Sequence, residues 1–173
     1  ALYGLVLAHD PDPEEPQSEP AVDDLPQRVL MEAGCPVLAV PFAGDFGGMP
    51  QSAVIAWDGS REASVGIRAA LPALKLGRNV TVIRFAEAQE EPESDPSSGR
   101  LLQFLHLHGV QASARREISD IDTGDALLSR LTDLGTDLLV MGGYGHSRFR
   151  ELLLGGVTRR ILGSMTVPVL MAH

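Results

Sequence analysis

The sequence has little cysteine, no long apolar run and no secretory signal. Cys35 is the only cysteine in 173 residues, which rules out an internal disulfide and a thiolate metal cluster within one chain. No stretch approaches the roughly 20 uninterrupted apolar residues of a membrane helix. The N-terminus lacks the basic and apolar regions of a signal peptide. We therefore expect a soluble protein in a reducing, cytoplasmic compartment, with no membrane partner.

Basic residues are also scarce. Fourteen Lys and Arg stand against 23 Asp and Glu, for a net charge of −9, and the basic residues form no dense run. Duplex DNA binding needs a basic face, so we expect no nucleic-acid partner. An anionic ligand would need a local site. The hydrophobic content of 44% suits one compact domain with a small appendage.

Two acidic, base-free segments interrupt the apolar pattern, at residues 10–24 and 87–99. Their prolines and like charges disfavour helix and strand, so both are predicted to be solvated loops.

From residue 53 onward, short apolar runs alternate with longer helical patterns. Near-continuous apolar strands separated by helices indicate a parallel sheet covered on both faces, an open doubly wound α/β fold of Rossmann-like type. Thr123 is predicted to cap the helix that it begins, and Leu71 is placed on the buried side of the first helix. The predicted strands are residues 53–57, 79–85, 111–118, 137–142 and 167–172.

The N-terminal part resembles a copy of the C-terminal part. Residues 28–40 align with residues 160–172 without a gap, and residues 4–10 align more weakly with residues 137–143. We expect residues 1–43 to be the strand, helix and strand that end a preceding repeat, whose first part is absent from a chain beginning at Ala1. The predicted organisation is this remnant (1–43), a linker (44–52) and one domain (53–173).

The glycines of "MGGYGHSRFRELLLGGVT" (141–158) are the main functional signal. Successive N–H groups in glycine turns bind anions, and a following helix N-terminus adds positive potential. The segment contains two such turns, which we call the first glycine turn (142–145) and the second glycine turn (155–158). Between them lie His146, Arg148 and Arg150. The sequence therefore predicts a polyphosphate site.

In open parallel sheets, ligands bind beyond the carboxyl ends of the strands, where the strand order reverses. If strands 53–57 and 137–142 flank that point, Asp58 faces the first glycine turn. Asp58 could accept hydrogen bonds from a ribose or base, or could cap the helix that follows. Trp57 could stack on a base or fill the core, and His146 is either a phosphate contact or an ordinary loop residue. The segment is not a P-loop, because no Lys-Ser or Lys-Thr follows its last glycine. It also does not match the dinucleotide-binding fingerprint, because the third glycine is missing.

"VIAWDGSREAS" (54–64) and "DLLVMGGYGHSRFRELLLGGVTRRILGSMTVPVLMAH" (137–173) resemble the universal stress protein family. Nucleotide-binding members show Gly-x-x-Gly, nine residues, then Gly followed by Ser or Thr. The resemblance implies a five-stranded parallel sheet in the order 3-2-1-4-5 and, in many members, bound ATP or AMP. The positions matched here are Asp58, Met141, Gly142, Gly145, Gly155, Val157 and Thr158. We add Ala56, His146 and Gly156 to this candidate set.

One departure concerns the phosphates. Gly156 stands where the family pattern has a hydroxyl, and losing a hydrogen bond to a charged group costs about 1.5–3 kcal/mol, roughly ten- to over a hundredfold in affinity. Thr158 and the two arginines are candidates to compensate. Mg²⁺ would be held chiefly by the phosphates. No general base is evident, so we expect no robust enzymatic activity.

Two alternatives remain open. The first is a nucleotide-independent interaction module, in which residues 36–38 and 168–170 pair as edge strands of a homodimer or pseudo-dimer. The second is a flavin or dinucleotide carrier on a similar sheet, which the failed fingerprint disfavours.

Overall fold

A computed structural model describes residues 6–9, 25–86, 96–144 and 156–173. The predicted loop 10–24 and residues 87–95 of the second predicted loop lie outside these ranges. So do Gly145, His146 and Gly155, together with the two arginines between the glycine turns.

Within the described ranges, the chain alternates strands and helices around one sheet. The strands are β1 (Val6–His9), β2 (Val37–Val40), β3 (Ser52–Ala56), β4 (Asn79–Phe85), β5 (Ala112–Glu117), β6 (Leu138–Gly142) and β7 (Val169–Ala172). The helices are α1 (Leu25–Glu32), α2 (Arg61–Leu74), α3 (Pro96–Leu107), α4 (Thr123–Asp133) and α5 (Gly156–Leu162).

The sheet has the order β1-β2-β7-β6-β3-β4-β5. The last five strands of this order, β7-β6-β3-β4-β5, are parallel. When β3 is counted as strand 1, they read 5-4-1-2-3, which is the predicted order 3-2-1-4-5 seen from the other edge. The chain first winds from β3 towards β5 and then returns to β6 and β7. The strand order therefore reverses between β3 and β6, where Ile55 pairs with Val140.

Helices cover both faces of the sheet, and each face has its own hydrophobic core. On one face, α2 and α3 pack Ile67 and Leu105 against β4 and β6. On the other, α1, α4 and α5 supply Leu30, Leu127 and Ile161. Burial on both faces explains why β3, β6 and β7 are near-continuous apolar runs instead of alternating ones.

The N-terminal unit extends the sheet beyond β7. β1 is parallel to β2, and β2 is antiparallel to β7 with Leu38 opposite Leu170. These two leucines are equivalent in the alignment of residues 28–40 with 160–172, so a local two-fold axis passes between them. The register also repeats, because Val6 pairs with Val37 as Leu139 pairs with Val169. Residues 36–38 and 168–170 thus meet within a single chain.

Two local predictions were wrong. Asp122, not Thr123, is the N-cap of α4, because the Asp122 carboxylate accepts from the N–H groups of the first turn. Residues 96–99 belong to α3 and not to a loop, since Pro96 opens the helix where no N–H is needed. Leu71 lies on the predicted side of α2, where it is partly buried and packs against the core that α2 covers.

Candidate functional site

The candidate site is the crevice at the carboxyl ends of β3 and β6. Close packing of α2 against β6 shapes it. A Cβ on Gly142 would lie 2.7 Å from the Ala63 backbone nitrogen, and one on Gly66 would lie 3.0 Å from the Met141 carbonyl oxygen. These glycines let the first turn of α2 rest directly on the end of β6. The turn that starts α2 therefore lies beside the first glycine turn.

Asp58 organises the turn between β3 and α2. Its Oδ1 accepts from the Ser60 N–H at 2.9 Å, and Gly59 between them has a φ of +78°. Ser60 is the N-cap of α2, because its hydroxyl accepts from the Ala63 N–H at 3.1 Å. Asp58 therefore braces the turn but is not itself the cap. Asp58 is exposed at the crevice.

The N–H groups of the first glycine turn are partly committed inside the protein. The Gly143 N–H donates to the Ala172 carbonyl at 2.9 Å, and the Tyr144 N–H donates to Thr158 Oγ1 at 3.2 Å. The prediction that this turn offers a run of donors to an anion is therefore wrong for these two groups. Its described glycines serve close packing, since a Cβ on Gly143 would collide with the Leu30 side chain.

The second glycine turn begins a helix, as the sequence predicts. α5 starts at Gly156, which is exposed, and a Cβ there would meet no atom within 4 Å in the part of the chain that the structure describes. Thr158 is only 4% exposed. Because its hydroxyl accepts from Tyr144, it is committed to joining the two turns, which weakens its case as a substitute phosphate ligand.

Three apolar members of the candidate set belong to the protein interior. Met141 is buried, while Ala56 and Val157 are partly buried against the same core. Their side chains are occupied by packing, so any polar contact from these positions would come from the main chain.

Trp57 is engaged next to the crevice. Its indole N–H donates to the Ser97 hydroxyl at 3.0 Å, and its ring packs at the margin of the core under α3. This arrangement favours the core interpretation over base stacking. The sequence prediction missed Ser97 because it placed this residue in a solvated loop.

Away from the crevice, a cavity of about 120 Å³ lies beside the ends of β4 and β5. Arg130 lines it and donates to Asp133 at 2.9 Å and Glu117 at 3.2 Å. The hydrogen bond to Asp133 and the nearby charge of Glu117 raise the pKa of Arg130 above its ordinary value. Since both carboxylates already contact this guanidinium, the charge of Arg130 stabilises the wall of the cavity.

Two residues outside the predicted site, Gln27 and His173, hold the first glycine turn. Tyr144 donates its hydroxyl to Gln27 Oε1 at 2.7 Å. His173 Nδ1 lies 3.2 Å from the Gly143 carbonyl oxygen, and its ring meets the Tyr144 ring edge-on. No spacing signal could reveal the Gln27 contact, because its partner is 117 residues away in the chain.

Neither a metal site nor a membrane span is found in the described portion. Over residues 6–9, 25–86, 96–144 and 156–173, no group of three His, Cys, Asp or Glu side chains is arranged to hold a metal ion. The helices in the same ranges are too short or too polar to cross a bilayer.

Comparison with known proteins adds independent information. A model of the universal stress protein family matches residues 49–173. The universal stress protein Slr1230 of Synechocystis sp. is 26% identical over 89 residues, which cover 51% of this chain. The match spans only 30% of that relative's length.

Solved structures share the fold. Protein PA1789 of Pseudomonas aeruginosa PAO1 superimposes with a TM-score of 0.58 and 19% identity, over 96% of this chain and 62% of its own. A universal stress protein solved in complex with cAMP has a TM-score of 0.51 and 19% identity, over 73% of this chain and 99% of its own.

Proposed function

The chain belongs to the universal stress protein family, and from this premise we propose that it binds an adenine nucleotide, ATP or AMP, in the crevice between β3 and β6. One observation carries the proposal. At the point where the strand order reverses, the Asp58 turn and the first glycine turn lie against each other through the contact of Gly142 with α2. Open α/β sheets bind ligands at such a point.

The proposed contacts divide between Asp58 and the second glycine turn. Asp58, exposed beside β3, would accept hydrogen bonds from the ribose or base. Because the Gly143 and Tyr144 N–H groups are engaged, the phosphates would depend on the second glycine turn. The first N–H groups of a helix have no acceptor within it. We propose that N–H groups of Gly155, Gly156 and Val157 contact the phosphates.

The remaining phosphate contacts would come from His146, Arg148 and Arg150. Mg²⁺ would be carried by the phosphates, since the described carboxylates form no metal-binding group. The cAMP-bound universal stress protein supports this assignment only by analogy, because its likeness to this chain is one of fold. With no general base assigned, the expected role is nucleotide sensing in a cytoplasmic stress response, with slow hydrolysis at most.

The decisive test is titration of Mg-ATP, AMP and NAD against the wild-type protein and Gly156→Ser by calorimetry. Gly156 is exposed, and a Cβ meets no described atom within 4 Å, so none of the described residues has to move to admit serine. Restoring the hydroxyl should tighten ATP binding roughly ten- to a hundredfold.

Gly156→Ala is the matched control, because it adds a Cβ without a donor, and it should bind ATP as the wild type does. Equal ATP affinity for Gly156→Ser and the wild type would refute the assignment of the second glycine turn to phosphate. Preference for NAD would favour the dinucleotide-carrier alternative instead.

The pairing of β2 with β7 favours a second candidate, an interaction module that works without nucleotide. Because β2 already covers the outer edge of β7, a homodimer through that edge would have to displace β2. The module would therefore act as an internal pseudo-dimer. Gly156→Glu tests this alternative, since it places a negative charge at an open position of the proposed phosphate site. A stress phenotype that survives this change would favour the interaction module.

We also propose that residues 1–43 are the end of a preceding repeat. Two independent registers support this origin. The alignment of residues 28–40 with 160–172 makes Leu38 equivalent to Leu170, its direct strand partner. The pairing of β1 with β2 repeats that of β6 with β7 residue for residue over four pairs. Intact-mass measurement of the protein isolated from its native cells would test this, since a completed repeat requires a substantially longer chain.

A further inference from the structure

Tyr144 has an unusual backbone for its residue type. Its φ is +51°, a left-handed conformation that is uncommon for a residue with a bulky side chain. Such conformations persist where surrounding contacts enforce them. Here the Tyr144 N–H donates to Thr158 Oγ1 and the Tyr144 hydroxyl donates to Gln27 Oε1. The backbone of Tyr144 is therefore held by α5, and its side chain is held by α1.

α1 also contacts the preceding residue. Leu30 occupies the space next to the Gly143 Cα, so a side chain there would require Leu30 to shift. Leu30 is itself 2% exposed and belongs to the core beneath α5. α1 thus contacts Gly143 through Leu30 and Tyr144 through Gln27. These two residues directly precede Gly145 of the candidate site.

The contact joins two parts of the chain. Gln27 and Leu30 lie in the N-terminal unit, whereas every candidate nucleotide-binding residue lies between positions 56 and 158. α1 reaches the first glycine turn because β2 pairs with β7 and carries the helix onto the same face as α5. The position of the N-terminal unit is therefore mechanically linked to the turn.

We propose that Gln27 is a positioning residue for the nucleotide site, which holds Tyr144 and so makes nucleotide affinity depend on the docking of α1. The affinity part of this inference rests on the proposed function. The positioning part rests only on the described contacts. A partner or modification that lifts α1 from the sheet would then release the first glycine turn together with the Tyr144–Thr158 hydrogen bond that joins it to the second glycine turn, and so weaken nucleotide binding.

Hydrogen exchange of the Gly143 and Tyr144 amides, without nucleotide, tests the positioning. Gln27→Leu removes the acceptor and Tyr144→Phe removes the donor. Each should speed exchange about threefold to tenfold, the effect of one net hydrogen bond. The double variant should be no faster than either single variant, because both remove the same bond. Gln27→Glu keeps an acceptor oxygen and should restore wild-type exchange.

Arg28→Leu is the matched control, since Arg28 is an exposed neighbour of Gln27 on α1. It should exchange as the wild type does. Tyr144→Phe leaves α1 unaltered, so it separates loss of the hydrogen bond from loss of the helix. Wild-type exchange in both Gln27→Leu and Tyr144→Phe, or additive effects in the double variant, would overturn the positioning role.

Calorimetric titration with Mg-ATP tests the link to the site. Gln27→Leu should weaken binding about threefold to tenfold, and Gln27→Glu should recover it. Faster exchange with unchanged affinity would overturn the coupling but leave the proposed function standing. Absence of nucleotide binding in the wild type would overturn the proposed function and the coupling together, while the exchange result would still judge the positioning.

Discussion

Gly142→Ala is the sharpest test of why a glycine ends β6. The added Cβ would lie 2.7 Å from the Ala63 backbone nitrogen, 3.1 Å from the Glu62 Cβ and 3.2 Å from the Ala63 Cα. The nearest atom is backbone in the first turn of α2, so it cannot rotate away as a side chain could. Relief requires α2 to move from β6.

Overpacking of this kind costs typically about 1–3 kcal/mol. We expect Gly142→Ala to lower the free energy of unfolding by that amount, measured by urea denaturation with the slope unchanged. Gly156→Ala is the control, because its Cβ meets no described atom within 4 Å. It should leave stability unchanged or raise it by up to about 1 kcal/mol through reduced freedom of the unfolded chain.

A loss smaller than about 0.5 kcal/mol for Gly142→Ala, the range of ordinary surface changes, would refute the close-packing argument. Nucleotide binding can be measured on Gly142→Ala and Gly156→Ala as well. If Gly142 serves packing, ligand saturation should still be reached at high concentration in Gly142→Ala once the protein is folded.

Two further predictions concern caps and strand starts. Asp122→Ala should destabilise the protein by about 1 kcal/mol, the usual value of an N-cap, while Thr123→Ala should change stability much less; a larger effect at Thr123, by thermal or urea denaturation, would contradict the cap assignment. Asp137→Ala should cost about 1–3 kcal/mol, since its Oδ2 accepts from the Gln51 N–H at 2.8 Å and the Ser52 N–H at 3.0 Å. Urea denaturation of Asp137→Asn, which keeps an acceptor oxygen, should show partial rescue, and equal losses for both variants would point to another cause.

The order of elements and the parallel sheet could be predicted because their signals are local. Buried parallel strands are apolar throughout, and the helices between them repeat their apolar residues with helical spacing. The interaction-module alternative placed residues 36–38 beside residues 168–170, and Leu38 pairs with Leu170 within the chain. Boundaries were less accurate, as at Asp122 and Pro96, because a cap depends on which carboxylate or proline reaches the first turn.

The candidate site was only partly accessible to sequence reasoning. Glycine spacing located the crevice, but not what each glycine does there. Gly142 is required by the approach of the α2 backbone, and Gly143 makes room for the Leu30 side chain. In the sequence, a glycine that permits close contact looks the same as a glycine of an anion-binding turn. Thr158 was expected to face phosphate, whereas its hydroxyl accepts from Tyr144.

The sequence by itself determined the alternation of strands and helices, the parallel sheet and the spacing of the two glycine turns, because these follow from patterns within short stretches of chain. The strand order 3-2-1-4-5 was implied by the resemblance to the universal stress protein family. Only the tertiary structure decided which N–H groups remain for a ligand and which residues hold Tyr144. The Gln27 contact spans 117 positions, and such a pairing arises from how β2 docks on β7, a matter of three-dimensional packing that no local pattern encodes.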